Sequence, residues 1–130
     1  LYVANVKSSD VTIFDTKNYQ KVKTIKVGKS PYAIAFDQEG TKAFVTNQHE
    51  NTISVIDTIN KKNIKTLEIG EYPEGINFYT KTKEILIVNW FDSEVVVLNS
   101  LNFDIKKRIM VGEGPRGFGN FIGPNLTKKF

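Results

Sequence analysis

The sequence has no cysteine and only one histidine, one tryptophan and one methionine in 130 residues. The absence of cysteine excludes disulfides, thiolate metal sites and cysteine nucleophiles, but it leaves the redox compartment open, because disulfide-free secreted proteins are common. No apolar run approaches the roughly 20 residues that a helix needs to cross a bilayer, so we expect no membrane span. The chain begins without Met inside a strand-like run and shows no signal peptide, so we expect an upstream portion of the protein.

Arginine is also scarce. The net charge is +4, yet Arg108 and Arg116 are the two arginines among 18 basic residues. Sequence-specific nucleic-acid readers rely on arginine forks and clustered basic faces, whereas the lysines here are scattered. The composition therefore argues against a nucleic-acid partner.

What the sequence does contain is a repeat with a period of 42 residues. Residues 1–5 superpose on 43–47 and 85–89 at this offset. Glycines and prolines coincide at the same offset: Gly28, Gly70, Gly112, Pro31, Pro73 and Pro115. Repeats at 1–42, 43–84 and 85–126, followed by a tail at 127–130, predict a single domain built from one structural unit.

Each unit contains short runs of β-branched and aromatic residues separated by turn residues, a pattern that predicts antiparallel strands. In the second unit the predicted strands are 43–47, 52–57, 63–69 and 74–79. Asp15, Asp57 and Asn99 close equivalent strands, where an Asx side chain bonds its own backbone two residues on. We expect them to form turns, not to act in acid catalysis.

A period of about 40 residues with four strands predicts an all-β fold, a β-propeller of three tandem four-stranded antiparallel blades, because one such sheet must stack on neighbours to bury its faces. Residues 33–36 and 75–78 place small side chains on one face, as expected of innermost strands that approach closely. A β-sandwich is the alternative, but it gives no reason for a fixed period.

Three blades make an incomplete ring, since propellers use about four to eight. One interpretation is that the chain is the C-terminal part of a longer propeller, with 116–122 as its last inner strand. The other is that two copies associate into a six-blade ring. Either arrangement makes the remaining blades, or a second copy, a partner.

Residues 1–5, 44–47 and 54–58, together with Gly28 and Pro31, resemble the YVTN-family β-propeller repeat, a WD-like repeat found mostly in bacterial and archaeal exported or surface proteins. The resemblance covers all three units. It implies a propeller architecture and a periplasmic, extracellular or cell-surface location. It does not imply a reaction, because similar propellers occur in surface-layer proteins, lactonase-like enzymes and periplasmic oxidoreductases.

Candidate site residues follow the three prolines and lie in the loops between strands. Tyr32, Glu74 and Arg116 occupy the same place after each proline and differ while their surroundings repeat, so we expect them at the channel mouth. Arg116 is the best candidate for an anionic ligand, since a guanidinium can hold a carboxylate or phosphate.

Two loop residues complete the candidate set. His49 is either a solvated side chain or one ligand or base of a site completed by other blades. Trp90, followed by Phe91, forms either a stacking platform or a cover for the blade edge. We expect no cofactor and no metal site in this segment alone. Asn5, Asn47 and Asn89 recur in every unit, so we expect them to form strand-end hydrogen bonds.

These features leave two functions. The first is a non-enzymatic propeller that binds a protein or a small anionic ligand at its channel face, supported by the regular repeat and the lack of a recognisable catalytic set. The second is an enzyme or cofactor-bearing propeller, lactonase-like or oxidoreductase-associated, whose site is assembled from several blades. Clustering of His49, Glu74 and Arg116 would favour the second.

Overall fold

A computed structural model describes residues 1–124 of the chain, which form 11 β-strands and one turn of 3-10 helix. The helix covers Gln48–Glu50. The strands are β1 Tyr2–Asn5, β2 Asp10–Phe14, β3 Lys21–Lys26, β4 Pro31–Phe36, β5 Lys42–Asn47, β6 Thr52–Asp57, β7 Lys62–Glu68, β8 Pro73–Tyr79, β9 Glu84–Asn89, β10 Glu94–Asn99 and β11 Ile105–Met110. Within residues 1–124 no helix is long and apolar enough to span a membrane.

The strands form three antiparallel sheets, which confirms the predicted all-β propeller fold. The first sheet has the order β1-β2-β3, the second β4-β5-β6-β7 and the third β8-β9-β10-β11. The first sheet therefore has three of the expected four strands in the described part of the chain. The other two sheets each begin with the strand that follows a proline, so the sheets are offset by one strand from the 42-residue sequence units.

Residues 116–122, predicted as the last inner strand of a blade whose other strands lie outside this chain, form no ladder among residues 1–124, so this strand stays a prediction. An inner strand pairs with the next strand of its own sheet, as β8 pairs with β9, and no such neighbour follows residue 116 among residues 1–124. The segment instead runs beside β8, where Asn77 Nδ2 donates to the Gly119 carbonyl at 3.1 Å. The predicted tail at 127–130 lies outside the described residues.

The inner segments approach one another closely, as the small residues predict. A Cβ added to Gly75 would lie 1.8 Å from the Gly117 carbonyl oxygen, so only glycine allows this backbone contact. Residues 33–36, 75–78 and 117–120 together line an open cleft of about 260 Å³ where the three segments converge. Backbone approach at Gly75 thus sets the spacing on this side of the molecule.

The hydrophobic core lies between the sheets, and the middle sheet contributes to both interfaces. Phe44 and Val55 pack with Ile85 in the cluster between the second and third sheets. Val45 and Ile56 pack with β2 in the cluster between the first and second sheets. Because side chains alternate along a strand, β5 and β6 bury both of their faces.

The three predicted Asx turns are confirmed. The side-chain Oδ1 of each accepts a backbone N–H two residues on: at 2.8 Å from Lys17 to Asp15, 2.9 Å from Ile59 to Asp57 and 2.8 Å from Leu101 to Asn99. At Asp57 the hydrogen bond from the Asn60 backbone is the main cause of a pKa below the usual value. These side chains fix the turns from β2 to β3, from β6 to β7 and from β10 to β11.

The close approach at Gly75 leads to a stability prediction. Gly75→Ala would force its new methyl group against the Gly117 backbone, so we expect a loss of roughly 1–3 kcal/mol in the free energy of unfolding. Gly112→Ala is the matched control, because nothing lies within 4 Å of its added Cβ. Urea unfolding followed by circular dichroism measures both. Equal midpoints for the two variants would contradict the close backbone contact.

An ion pair on the third sheet leads to a pH prediction. Lys106 Nζ and Thr82 Oγ1 each donate a hydrogen bond to the Glu84 carboxylate. These bonds lower the pKa of the Glu84 carboxyl, and the bond from Lys106 has the larger effect. Because the pKa of Glu84 is lower in the folded than in the unfolded chain, its ionised carboxylate stabilises the fold at pH values above the unfolded pKa of about 4.5. This stabilisation is lost as the pH falls through the pKa of the folded state. Glu84→Gln should therefore cost about 0.5–1 kcal/mol at neutral pH, since Lys106 is half exposed, and progressively less in acid. Urea unfolding across this pH range tests it, and a constant difference at all pH values would contradict it.

Candidate functional site

Backbone hydrogen bonds hold together the loops that carry the candidate residues. The loop after β5 is tied to the loop before β4, because Gln48 N donates to the Ser30 carbonyl at 3.0 Å. The same bond recurs one sheet further on, from Trp90 N to the Tyr72 carbonyl at 3.1 Å. The repeat therefore places the two sets of connections side by side at one end of the sheets.

The recurring asparagines stabilise these strand ends, as predicted. Each donates from Nδ2 to a side chain at the start of the following strand: 2.8 Å from Asn5 to Asp10, 3.0 Å from Asn47 to Thr52 and 3.0 Å from Asn89 to Glu94. The bond from Asn5 is the main cause of a lowered pKa at Asp10. This pattern fits a structural role for all three asparagines.

Three of the predicted site residues meet in one cluster. Glu74 is buried, with 3% of its surface exposed, and its Oε1 accepts a hydrogen bond from Gln48 Nε2 at 3.2 Å. Its other oxygen, Oε2, lies 3.8 Å from Arg116 Nε. The Arg116 guanidinium also stacks on Trp90, with Cζ 4.8 Å from the ring centroid. Arg116 is thus held between a carboxylate and an aromatic ring.

This arrangement bears on the predicted anion-binding role of Arg116. An external carboxylate or phosphate must compete with Glu74 for the guanidinium and approach a buried negative charge. Arg116 remains exposed along half of its side chain, so one side of the fork faces solvent. Binding of a small anion there stays a prediction, and the Glu74 carboxylate weakens it.

His49 and Tyr32 lie outside the Glu74 cluster. The Nδ1 atom of His49 is 2.6 Å from Ser30 Oγ, and the ring packs edge-on against Tyr72 with centroids 5.4 Å apart. Tyr32 instead lies beside Phe118, at 5.9 Å between centroids. The clustering of His49 with Glu74 and Arg116 that would favour an enzyme is therefore incomplete, because the contacts of the His49 ring are with Ser30 and Tyr72.

Tyr72 connects the aromatic residues, although sequence reasoning did not select it. Its ring lies 5.5 Å from that of Trp90 and 5.0 Å from that of Phe91. Its φ of 57° is in the left-handed region, which costs an L-residue roughly 1–2 kcal/mol. Ser30 and Gly114 occupy the equivalent repeat positions and also have positive φ. The repeat could have identified Tyr72 as a candidate, because a large aromatic residue occupies a position where the other units have a small residue.

Trp90 and Phe91 stack on each other with centroids 5.0 Å apart and planes at 27°. Phe91 is 62% exposed, so the stack presents an open face to solvent instead of sealing a blade edge. We call His49, Tyr72, Trp90 and Phe91 the aromatic surface. With Gln48, Asn51 and Glu71, they line a shallow groove of about 580 Å³.

The site offers recognition chemistry more clearly than acid–base chemistry. Among residues 1–124 no group of three or more His, Asp or Glu side chains is placed to hold a metal ion. The carboxyls with lowered pKa, at Asp10, Asp57 and Glu84, are held by hydrogen bonds away from the groove. The aromatic surface combines large rings with a rigid sheet, and such side chains dominate binding energy at interfaces.

Comparison with known proteins identifies the fold. No protein-family model and no curated protein matches the chain. Among solved structures, hydrazine synthase of Kuenenia stuttgartiensis is 22% identical with a TM-score of 0.84, over 88% of this chain and 34% of that one. Apo AztD of Citrobacter koseri is 15% identical with a TM-score of 0.70, over 82% and 30%. The WD40 repeats of RRP9 are 12% identical with a TM-score of 0.75, over 84% and 34%.

These likenesses show that the chain has a β-propeller fold. The identities are low, so the likeness extends to the fold and not to an activity. The chain spans about a third of the length of each of these structures.

The Glu74–Arg116 pair yields a prediction for a double-mutant cycle. Glu74→Gln and Arg116→Ala should each destabilise the chain, and the double variant should lose less than their sum, because the second change removes a charge already left unpaired. We expect a coupling of about 0.5–1 kcal/mol, since Arg116 is half exposed. Urea unfolding of the four proteins measures it. Additive losses would show that the two side chains do not interact.

Proposed function

We propose that this chain is part of an exported β-propeller of the YVTN type, and that it binds another protein through the aromatic surface without catalysing a reaction. The observation that carries the proposal is the continuous contact of four rings on loops held by the sheets. Location and repeat type are supported by the sequence resemblance.

The composition of the aromatic surface supports protein binding. Trp and Tyr are the residues most enriched among binding hot spots, where a few large side chains contribute most of the binding energy. The left-handed backbone of Tyr72 is kept in place by two hydrogen bonds, one of them from its own N–H to Asn51 Oδ1 at 3.1 Å. Strain that is retained in this way occurs preferentially at functional sites.

The shape of the groove favours a macromolecular partner over a small substrate. The groove is shallow, and Phe91 projects from it, whereas small-molecule sites enclose most of their ligand. Loops on a rigid scaffold are also where β-rich repeat proteins present binding residues. A protein segment that lies across several loops fits this geometry.

The proposal includes a completed ring around these three sheets. Propellers have about four to eight blades, so further blades of the same protein or a second copy of this chain would supply the rest. The first sheet has no inner strand among the described residues, and residues 115–122 repeat the inner-strand sequence without a ladder partner. The first sheet lacks an inner strand and the segment 115–122 lacks a partner strand, which supports the presence of other blades beside both.

One observation favours the second candidate, an enzyme or cofactor-bearing propeller. Glu74 Oε2 is buried and accepts no hydrogen bond among the described residues, and a buried carboxylate beside an arginine is a candidate general acid or base. A catalytic role would need further groups from other blades. Arg116 already supplies a countercharge, so protein binding remains the better-supported function.

Selection from a displayed peptide library tests the proposed function. Peptides enriched on the wild-type chain should bind Phe91→Ala about tenfold or more weakly, because truncating a central aromatic removes a hot spot. Leu101→Ala is the matched control: Leu101 is 63% exposed, against 62% for Phe91, and lies in the turn at the other end of β10. Fluorescence anisotropy measures the affinities.

The control separates specific binding from general stickiness. Equal losses in the two variants would indicate adhesion to exposed apolar groups. Peptides that bind Phe91→Ala as tightly as wild type would contradict a role for the aromatic surface and would overturn the proposed function.

A further inference from the structure

We infer that the aromatic surface takes a cationic anchor, a lysine or arginine side chain of a basic peptide segment. This inference rests on the proposed function and adds the chemistry of the partner. It follows from two grooves that share residues, one aromatic and one acidic.

The acidic groove adjoins the aromatic one. Its volume is about 320 Å³, and it is lined by Glu50, Asn51, Glu68, Gly70 and Glu71. Asn51 and Glu71 line both grooves. A side chain that rests on the rings of Tyr72 and Phe91 therefore has carboxylates within reach of its end group.

Among residues 1–124 no basic side chain forms an ion pair with these carboxylates. Five ion pairs occur within residues 1–124, and none involves Glu50, Glu68 or Glu71. The two arginines of the chain already pair with other carboxylates, Arg108 with Glu94 and Arg116 with Glu74. Three glutamates therefore line this groove although the net charge of the chain is +4, and salt screens exposed charges that lie more than about 10 Å away.

The chain contains an internal example of the proposed contact. Arg116 stacks on Trp90 and faces the Glu74 carboxylate, which is the combination of ring and countercharge that holds cations. Tyr72, Phe91 and Glu71 line one groove, so they offer rings and a carboxylate to the same ligand. Within the described residues neither ring carries a cation: the two cation–π contacts fall on Trp90 and Phe103.

Other anchors fit the same surface less well. An acidic segment would meet Glu50, Glu68 and Glu71 at close range, and like charges disfavour such an approach. A purely apolar segment could stack on the rings but would leave the carboxylates beside a desolvated surface. Both are outcomes that the experiment can return.

The test compares three decapeptides that differ only in charge: alternating Lys-Ser, Gln-Ser and Glu-Ser. Trp90 is the only tryptophan, so its fluorescence reports binding at the surface. We expect the Lys-Ser peptide to bind at least about tenfold more tightly than either other peptide, with an affinity that falls as salt is raised. Isothermal titration calorimetry with the same peptides gives a second readout.

Variants assign the effect to the acidic groove. Glu68→Gln with Glu71→Gln should weaken Lys-Ser binding by about fivefold to tenfold, since two charge contacts are lost. Glu39→Gln is the matched control, an exposed glutamate in the turn between β4 and β5, and should leave the affinity unchanged. Thermal unfolding of each variant confirms that folding is intact.

The outcomes separate this inference from the proposed function. Equal binding of the Lys-Ser and Gln-Ser peptides, no binding of either, or an unchanged affinity in the double variant would overturn the cationic anchor. If library peptides without basic residues still depend on Phe91, protein binding stands and only the anchor chemistry is wrong. If library binding is independent of Phe91, the proposed function itself fails.

Discussion

The structure depends on the need of each sheet to bury both faces. In the middle sheet Phe44 packs toward the third sheet while Val45 packs toward the first, and both are fully buried. A lone sheet of this composition would expose its apolar faces to water, which costs about 25 cal/mol of free energy for each Å² of apolar surface. Stacking is therefore obligatory, and the regular period of the sequence is its consequence.

Stacking also produces the functional surface. Stacked sheets bring the loops of successive sheets next to each other, so residues about half a repeat or a full repeat apart become neighbours. His49, Tyr72 and Trp90 are far apart in sequence but consecutive in space. The close approach of Gly75 to Gly117 sets the spacing, and it positions Arg116 over Trp90. The surface is thus a product of the packing and not of any single loop.

Local and periodic features were predictable, and features set by neighbours were not. The Asx turn at Asp57 needs only its own side chain and backbone, and strand β6 follows from alternation. The segment at 116–122 has the inner-strand sequence, but its pairing depends on a neighbouring strand that the described residues do not include. Trp90 and Phe91 were singled out as candidates, whereas the connecting role of Tyr72 depends on a left-handed backbone and on rings from other loops.

The charges are distributed unevenly, so the net charge of the chain does not describe the groove proposed as the binding site. Lysines concentrate on the outer strands β3, β7 and β11, where charged side chains protect exposed sheet edges from pairing with other chains. Carboxylates without ion-pair partners in the described residues concentrate at the loop end, around Glu71. Edge lysines thus contribute much of the positive total, whereas the proposed recognition would depend on the local field at the groove. A net basic chain can therefore select a basic partner segment.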